Sequence, residues 1–169
     1  MGLPSVFKVV TEGDGSRLDP YYQYITRWVT PGCEWVLRGE GEAREMVDGS
    51  PCAIIGGKFY RWDGSMMVKV DFGSPSDAVF INAYDNSPWC TEDGVYRAVG
   101  VHFHGNPYGL DDDFLERFGR RKLDVPRSFD GMREFLRTNE IQGVEFWKDG
   151  ESKCQICRVD FGFEWPVKR

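Results

Sequence analysis

Glu45-Met46-Val47-Asp48-Gly49-Ser50-Pro51 is the stretch of this sequence from which the fold is best inferred. It lies between two runs whose composition predicts β-strands, residues 42–46 and 52–55. Asp-Gly is a strong signal for a tight turn, because both residues tolerate the backbone conformations that turns require. The stretch therefore predicts a connection between two strands.

Further along the chain, the spacing of apolar residues predicts more strands and at least one helix. Residues 52–55 and 58–62, joined by Gly56-Gly57, predict a hairpin. The pattern predicts a helix over 128–139, where Ser128 is a plausible N-cap, and a shorter helix over 112–118. Residues 21–29 are compatible with helix or strand, and their aromatic content predicts burial. The other predicted strands are 6–10, 66–72, 78–84, 95–104, 143–147 and 153–161.

The length and composition of the chain predict one globular domain over residues 1–169. A net charge of -6 argues against nonspecific binding to nucleic acid or to anionic membranes, although a local basic pocket remains compatible with it. No apolar run approaches the roughly 20 residues that span a bilayer, and no signal peptide is recognisable. The predicted location is the cytoplasm, and no membrane partner is expected.

Five cysteines are present, and their odd number favours reduced thiols. Cys154 and Cys157 form a lone C-x-x-C pair, for which no second pair with zinc-site spacing exists. On a strand, residues three apart face opposite sides, so packing roles are favoured over a metal site. The sequence predicts no metal ligands.

Several stretches together resemble a known family. The Val47-Asp48-Gly49 turn matches part of the Lys-x-Asp-Gly motif of nucleotidyltransferases, the RNA and DNA ligases and mRNA capping enzymes. Four later stretches are similar, in the expected order, to segments of compact RNA-ligase-like nucleotidyltransferases: Asp93-Gly94-Val95-Tyr96-Arg97 continuing to Gly105-Asn106-Pro107, Leu123-Asp124-Val125-Pro126 with the following helix, Gln142-Gly143-Val144-Glu145-Phe146-Trp147, and Gln155 to Gly162 with Trp165-Pro166. The resemblance covers roughly residues 40–63 and 93–166. It implies an α+β fold in which antiparallel sheets and few helices surround a nucleotide cleft.

The chain departs from this family at the positions that perform its chemistry. Met46 occupies the position of the nucleophilic lysine, Arg97 that of a ribose-contacting glutamate, and Gln142 that of a metal-organising glutamate. Gln155 and Cys157 replace two phosphate-binding lysines. Adenylation needs a nucleophile, a metal held by carboxylates and cations near the phosphates, so the resemblance implies a site without catalytic residues.

The resemblance implies a ligand site in which Met46 and Val144 form apolar walls beside Val47 and Asp48. Five cations are candidates for phosphate contacts, and each of them is equally compatible with an ordinary solvated position: Lys58, Arg61, Arg97, Lys153 and Arg158. His102 and His104, predicted to share one face of a strand, are candidates for a phosphate or metal contact or for plain polar residues. Gln142 and Gln155 complete the predicted ligand-binding set.

Three functions are compatible with the sequence. The leading hypothesis is a catalytically inactive relative that binds or sequesters a nucleotide-type small molecule, such as a phage protein that captures a nucleotide signal of host defence, without a cofactor. The second is an RNA ligase whose nucleophile has been replaced, which would use ATP and Mg²⁺ and would act on RNA. The third is a protein-interaction module on the same fold. The sequence predicts no oligomeric state.

Overall fold

The computed structural model describes residues 2–119 and 121–167. Within them the fold is α+β, and every strand pairing between named strands is antiparallel. The elements in chain order are β1 (Phe7–Glu12), β2 (Tyr22–Val29), α1 (Glu34–Leu37), β3 (Glu42–Met46), β4 (Ser50–Ile55), β5 (Lys58–Trp62), β6 (Met67–Lys69), α2 (Ala78–Asp85), β7 (Gly94–Val99), β8 (Phe114–Arg117), β9 (Lys122–Leu123), α3 (Phe129–Thr138), β10 (Gly143–Lys148) and β11 (Glu151–Cys157). Short 3₁₀ turns occupy Pro75–Asp77 and Arg158–Phe161. These features confirm the predicted α+β class with antiparallel sheets and few helices.

The chain divides into two compact units. Unit 1 comprises the described residues up to Met46 and from Arg121 onward, and unit 2 runs from Val47 to Gly119. The boundary therefore falls within the stretch quoted first above. A single domain over residues 1–169 stays a prediction.

Unit 1 is built on a four-stranded sheet in the order β11-β10-β3-β9, beside the two-stranded ribbon β1-β2. Strand β10 is central, and its buried side chains Val144 and Phe146 point into the core of this unit. Helix α3 covers that core with Met132 and Leu136, which are four residues apart and hence on one face. Apolar burial on one face of the sheet thus holds unit 1 together.

Helix α3 begins as the sequence predicts. The Ser128 side chain accepts a hydrogen bond from the Gly131 N–H at 3.0 Å, which satisfies one of the free donors of the first turn. Asp130 in the first turn and Arg137 in the last complement the helix dipole. The predicted helix is confirmed.

Unit 2 is built on a five-stranded sheet in the order β6-β5-β4-β7-β8. The predicted β4–β5 hairpin is confirmed, and Gly56 and Gly57 at its turn have φ values of 59° and 75°. Both N–H groups of the turn donate to the Asp93 carboxylate, at 2.7 and 3.2 Å. Positive φ at both central residues is what a two-residue turn of this twist requires.

Residues 78–84 form helix α2, so the predicted strand there is wrong. Pro75 opens a 3₁₀ turn that leads directly into the helix, and proline favours the first turn of a helix. Val79, Phe80, Ala83 and Tyr84 pack on the core of unit 2 with helical spacing. The segment 78–84, apolar except at Asn82, fits both periods, and only packing against the sheet decides between them.

Two further predictions in unit 2 are wrong. Residues 114–117 form strand β8 and not the helix predicted over 112–118. Phe114 pairs with Val99 of β7, and Leu115 pairs with Ala98. Strand β7 ends at Val99 and does not reach residue 104. Gly100 ends it with a φ of 125°, at a place where a Cβ atom would lie 2.2 Å from the Asp112 carbonyl oxygen.

Residues 22–29 form a strand, but the predicted burial of the aromatic side chains there is wrong. Tyr21 and Trp28 are each 68% exposed, and Tyr22 and Tyr24 are also exposed. The ribbon has only one covered face, where Ile25 and Val29 pack on the core. The opposite face of a two-stranded ribbon stays open to solvent.

The strand predicted over residues 153–161 ends four residues earlier than expected. Strand β11 ends at Cys157, and Arg158–Phe161 form a 3₁₀ turn closed by Gly162 with a φ of 78°. The Asp160 side chain accepts a hydrogen bond from the Cys157 N–H at 2.8 Å and so terminates the strand.

All five cysteines are free in the structure, and their reduced state stays a prediction. Cys154 and Cys157 face opposite sides of β11, as their spacing predicts. Cys154 packs in the unit 1 core, and Cys157 lies against Met46. In the described part of the chain, no helix combines the length and the apolar character needed to cross a bilayer.

Candidate functional site

The thirteen residues predicted to bind a ligand are divided between the two units. Unit 1 contains Met46, Gln142, Val144, Lys153, Gln155 and Arg158, and unit 2 contains Val47, Asp48, Lys58, Arg61, Arg97, His102 and His104. Each set is described within its own unit.

In unit 1, Met46, Gly143 and Cys157 lie side by side on three neighbouring strands. Gly143 pairs with Met46 on one side and with Cys157 on the other. Because glycine has no side chain, Met46 and Cys157 meet across it, and their sulfur atoms are 3.9 Å apart. A Cβ at position 143 would lie 2.5 Å from the Ile156 carbonyl oxygen. A sulfur–sulfur contact therefore fills the position that the resemblance assigns to the nucleophile.

The Cys157 thiol beside Met46 is uncharged. Burial raises its pKa to about 12, and the nearby carboxylates of Asp160 and Glu145 act in the same direction. A thiol with such a pKa stays neutral at physiological pH and is neither a thiolate nucleophile nor a cation. Met46 adds a thioether that carries no charge at any pH.

The same face of the sheet carries a group of polar side chains next to Met46 and Cys157. Residues two apart on a strand share a face, so Arg44, Glu145 and Gln155 lie on the side of Met46, Gly143 and Cys157. Glu145 pairs directly with both Arg44 and Gln155, and it is buried. The Arg44 guanidinium stacks over Trp147, 4.3 Å from the ring centroid. This face offers amide, carboxylate and guanidinium groups beside an apolar patch.

Val144 and Gln142 have different surroundings from those that the resemblance implies. Val144 is fully buried and points into the core shared with Phe146, away from the face of Met46. Gln142 precedes β10, and its carbonyl oxygen accepts the Arg158 N–H at 3.0 Å. Both residues thus have structural roles in unit 1.

Two candidate cations of unit 1 are already engaged. Arg158 is buried, and its guanidinium donates to the carbonyl oxygens of Leu136, Asn139 (3.0 Å) and Glu164 (2.9 Å). These bonds satisfy the end of helix α3, where carbonyl groups lack partners. Lys153 forms a surface ion pair with Glu151 at 2.8 Å.

In unit 2, His104 contacts both Asp48 and Ser50, and the sequence did not indicate Ser50 as a site residue. His104 Nδ1 lies 2.6 Å from Asp48 Oδ1, and its Nε2 lies 3.3 Å from the hydroxyl of Ser50. Val47, next to Asp48, is half-buried. The resemblance places Asp48 beside the predicted ligand and assigns no role to Ser50. A histidine between a serine and an aspartate was not evident, because His104 is distant in sequence.

His102 is engaged with a different aspartate. Its Nδ1 lies 2.6 Å from Asp113 Oδ2, and its backbone N–H donates to Asp113 Oδ1 at 3.0 Å. Burial raises the pKa of the fully buried Asp113 carboxyl, but the hydrogen bonds from His102 and Asn82 outweigh this and lower it below its usual value. The predicted common face of the two histidines is wrong, because both lie in the turns that follow β7.

The remaining candidate cations of unit 2 differ in their partners. Arg97 on β7 stacks over Phe118, 4.6 Å from the ring centroid. Arg61 donates to the buried Asp77 at 2.6 Å. Lys58 is exposed at the start of β5. Each of the three cations therefore has a different setting: an aromatic ring, a buried carboxylate and solvent.

Unit 1 also contains a cavity that the sequence did not predict. It has a volume of about 340 Å³ and lies between β2, α3 and the 3₁₀ turn. Burial raises the pKa of Asp160 on its wall, although the Cys157 N–H opposes this. None of the thirteen predicted ligand residues lines it; the wall includes Tyr24, Phe129, Arg133, Asp160 and Phe161. Among the described residues, no group of three or more His, Cys, Asp or Glu side chains is arranged to hold a metal ion.

Comparison with models of protein families finds no match to this chain. Comparison with curated proteins finds none either.

Proposed function

We propose that this chain binds a nucleotide or a nucleotide-derived small molecule and transfers no nucleotidyl group. The observation that carries the proposal is the buried contact between Met46 and Cys157. The resemblance assigns these two positions to the nucleophilic lysine and to a phosphate-binding lysine. A thioether forms no phosphoramidate, and a neutral thiol stabilises no phosphate charge.

A nucleotidyltransferase-like fold is part of the same proposal. It is supported by the placement of three motifs that are far apart in sequence. Residues of the first, fourth and fifth motifs lie on the neighbouring strands β3, β10 and β11, in the registers Met46–Gly143 and Gly143–Cys157. The resemblance expects these motifs to line one site, and their adjacency is consistent with it.

The side chains left on that face suit binding better than catalysis. Gln155 supplies an amide that both donates and accepts hydrogen bonds, as base edges and ribose hydroxyls require. Stoichiometric binding of a nucleotide signal, and hence its sequestration, is the function that these groups serve in this proposal. It needs no cofactor.

The first test measures covalent transfer. Wild-type protein and Met46→Lys are incubated with α-labelled ATP and Mg²⁺, with Met66→Lys as a control at an exposed methionine. We expect no protein-bound label in any of the three, because the cations and carboxylates of the transfer reaction are also replaced. Label on Met46→Lys alone would overturn the proposal and establish the ligase alternative.

The second test measures binding. A thermal-shift screen covers mononucleotides, linear dinucleotides and cyclic nucleotides, each compared with inorganic phosphate and with free nucleosides. A ligand at 100 times its dissociation constant stabilises the folded state by about 2.7 kcal/mol. Gln155→Ala should reduce the shift, whereas Arg137→Gln, at a surface ion pair, should not. No shift with any nucleotide would overturn the proposal and favour the protein-interaction alternative.

A further inference from the structure

A serine, a histidine and an aspartate of unit 2 form a continuous hydrogen-bonded chain. Asp48 Oδ1 lies 2.6 Å from His104 Nδ1, and His104 Nε2 lies 3.3 Å from Ser50 Oγ. The two ring nitrogens thus contact the two groups in the order that general-base activation of a serine requires. The His104 side chain is 44% exposed and Ser50 is half-buried, so solvent reaches the serine end of the chain.

The backbone anchors Asp48 and Ser50 on either side of Gly49. The Asp48 N–H donates to the Tyr108 hydroxyl at 2.7 Å, and Ser50 pairs with Ala98 at the start of β4. Gly49 packs so closely on this strand that a Cβ there would lie 2.5 Å from the Ala98 carbonyl oxygen. The carboxylate and the hydroxyl are therefore held at a fixed separation.

His104 is oriented by an unusual backbone conformation. Its φ is 52°, and Asn106, two residues on, has a φ of 54°. A left-handed conformation is unfavourable for a residue other than glycine. The Asn106 side chain holds the turn by accepting from the Leu110 N–H at 3.0 Å and donating to its carbonyl oxygen at 2.9 Å. Strain of this kind persists where the surrounding structure fixes it, and here it aims the imidazole.

We propose that Ser50 is an acyl-accepting nucleophile, with His104 as its general base and Asp48 as a positioning residue. The Asp48 carboxylate accepts a hydrogen bond from the Nδ1–H group, which leaves the Nε2 lone pair facing the Ser50 hydroxyl. Ser50 Oγ attacks the carbonyl carbon of a carboxylic ester, and its proton passes to Nε2. The alcohol leaves with that proton, and an acyl-Ser50 ester remains. Water then attacks this ester, His104 takes and returns a proton, and the carboxylic acid is released.

This inference is independent of the proposed nucleotide binding. It uses only atoms of unit 2, and it needs neither a metal nor a nucleotide. The substrate class is a small carboxylic ester.

Labelling with a fluorophosphonate tests the nucleophile directly. Ser50 Oγ would bond to phosphorus, fluoride would leave, and His104 would take the hydroxyl proton. Intact-mass and peptide-level mass spectrometry should find a single adduct on Ser50. Ser50→Ala should abolish it, and His104→Gln should slow it by roughly 10² to 10⁴-fold. Ser65→Ala is the matched control: the Ser65 hydroxyl donates directly to Asp63 at 3.0 Å, and its loss should change nothing.

Asp48 is tested through the two carboxylate variants. Asp48→Asn should slow labelling, and Asp48→Glu, which keeps the carboxylate, should restore part of the rate while circular dichroism confirms the fold of both. Wild-type protein unfolded in guanidinium should not be labelled, so this arm does not depend on any variant folding. The proposal is overturned by absent labelling of native protein, by an adduct on another residue, by Ser50 labelling at the wild-type rate in His104→Gln, or by labelling of unfolded protein. Hydrolysis of p-nitrophenyl acetate should be lost in the same variants.

Discussion

The sulfur atoms of Met46 and Cys157 lie 3.9 Å apart, although 111 positions separate the two residues in the sequence. The contact exists because Gly143, on the strand between them, has no side chain. At these two positions the resemblance to nucleotidyltransferases implies lysines. The buried sulfur pair leaves neither an amine nor a cation at these two positions, and the proposed function without nucleotidyl transfer rests on this contact.

Shortening Met46 should destabilise unit 1. Met46→Ala removes most of a buried side chain and should lower the free energy of unfolding by roughly 2–5 kcal/mol, whereas Met46→Leu should cost less than about 1.5 kcal/mol. Urea unfolding followed by circular dichroism measures both. Met66→Ala is the control, since Met66 is 59% exposed, and it should change stability by no more than about 0.5 kcal/mol. Equal costs at positions 46 and 66 would contradict the buried contact.

The Arg61–Asp77 pair should matter far more than a surface ion pair. Asp77 is buried and accepts from Arg61 at 2.6 Å and from the Asp71 N–H at 2.8 Å. Arg61→Ala leaves that carboxylate without its cation and should cost about 3–5 kcal/mol. Arg137→Ala breaks the exposed pair with Glu134 and should cost about 0–1 kcal/mol. Chemical denaturation at neutral pH distinguishes the two.

The same carboxylate should make unit 2 sensitive to acid. The Asp71 N–H and the Arg61 guanidinium hold the pKa of Asp77 below its usual value, in spite of burial. A lowered folded-state pKa gives stability that is present above the unfolded-state pKa and is lost as pH falls through the folded-state value. Asp77→Asn should therefore flatten the loss of stability below about pH 4. A variant whose acid unfolding curve keeps the wild-type slope would contradict this assignment.

Arg158 should act on stability and not on ligand affinity. Arg158→Ala leaves three backbone carbonyl oxygens without their donor and should cost roughly 2–4 kcal/mol. Arg158→Lys should recover only part of this, because an ammonium group cannot reproduce the fork of the guanidinium. Thermal unfolding measures both variants, and Arg133→Ala at the exposed face of α3 is the control. A loss of nucleotide-induced shift at unchanged stability would instead make Arg158 a ligand contact.

The turn of the β4–β5 hairpin should require glycine because of its backbone conformation alone. A Cβ at Gly56 or Gly57 would meet no atom within 4 Å, so the φ values are the only obstacle. Gly57→Ala should cost about 1 kcal/mol or slightly more, and Gly57→Asn less, because asparagine tolerates this region. Denaturant unfolding compares them with Gly73→Ala, whose φ lies outside the left-handed region. Equal losses of stability in Gly57→Ala, Gly57→Asn and Gly73→Ala would contradict the turn assignment.

Local signals in the sequence predicted several elements of the fold correctly. The Ser128 cap and the apolar face of 129–136 were sufficient for helix α3, and Gly56-Gly57 was sufficient for the hairpin. These features depend on residues within a few positions of one another, so they can be read without knowledge of the rest of the chain.

Other parts of the structure depend on contacts between distant residues. Whether 78–85 is helix and 114–117 strand was decided by packing and pairing on the unit 2 sheet. His104 and Asp48 are 56 positions apart, and His102 and Asp113 are 11 apart, so neither pairing follows from local spacing. The sequence by itself determined the α+β class, the hairpin turn and the presence of methionine at position 46, where the resemblance implies a lysine. Only the tertiary structure decided which charged groups meet, because backbone pairing and burial bring them together from separate strands and loops.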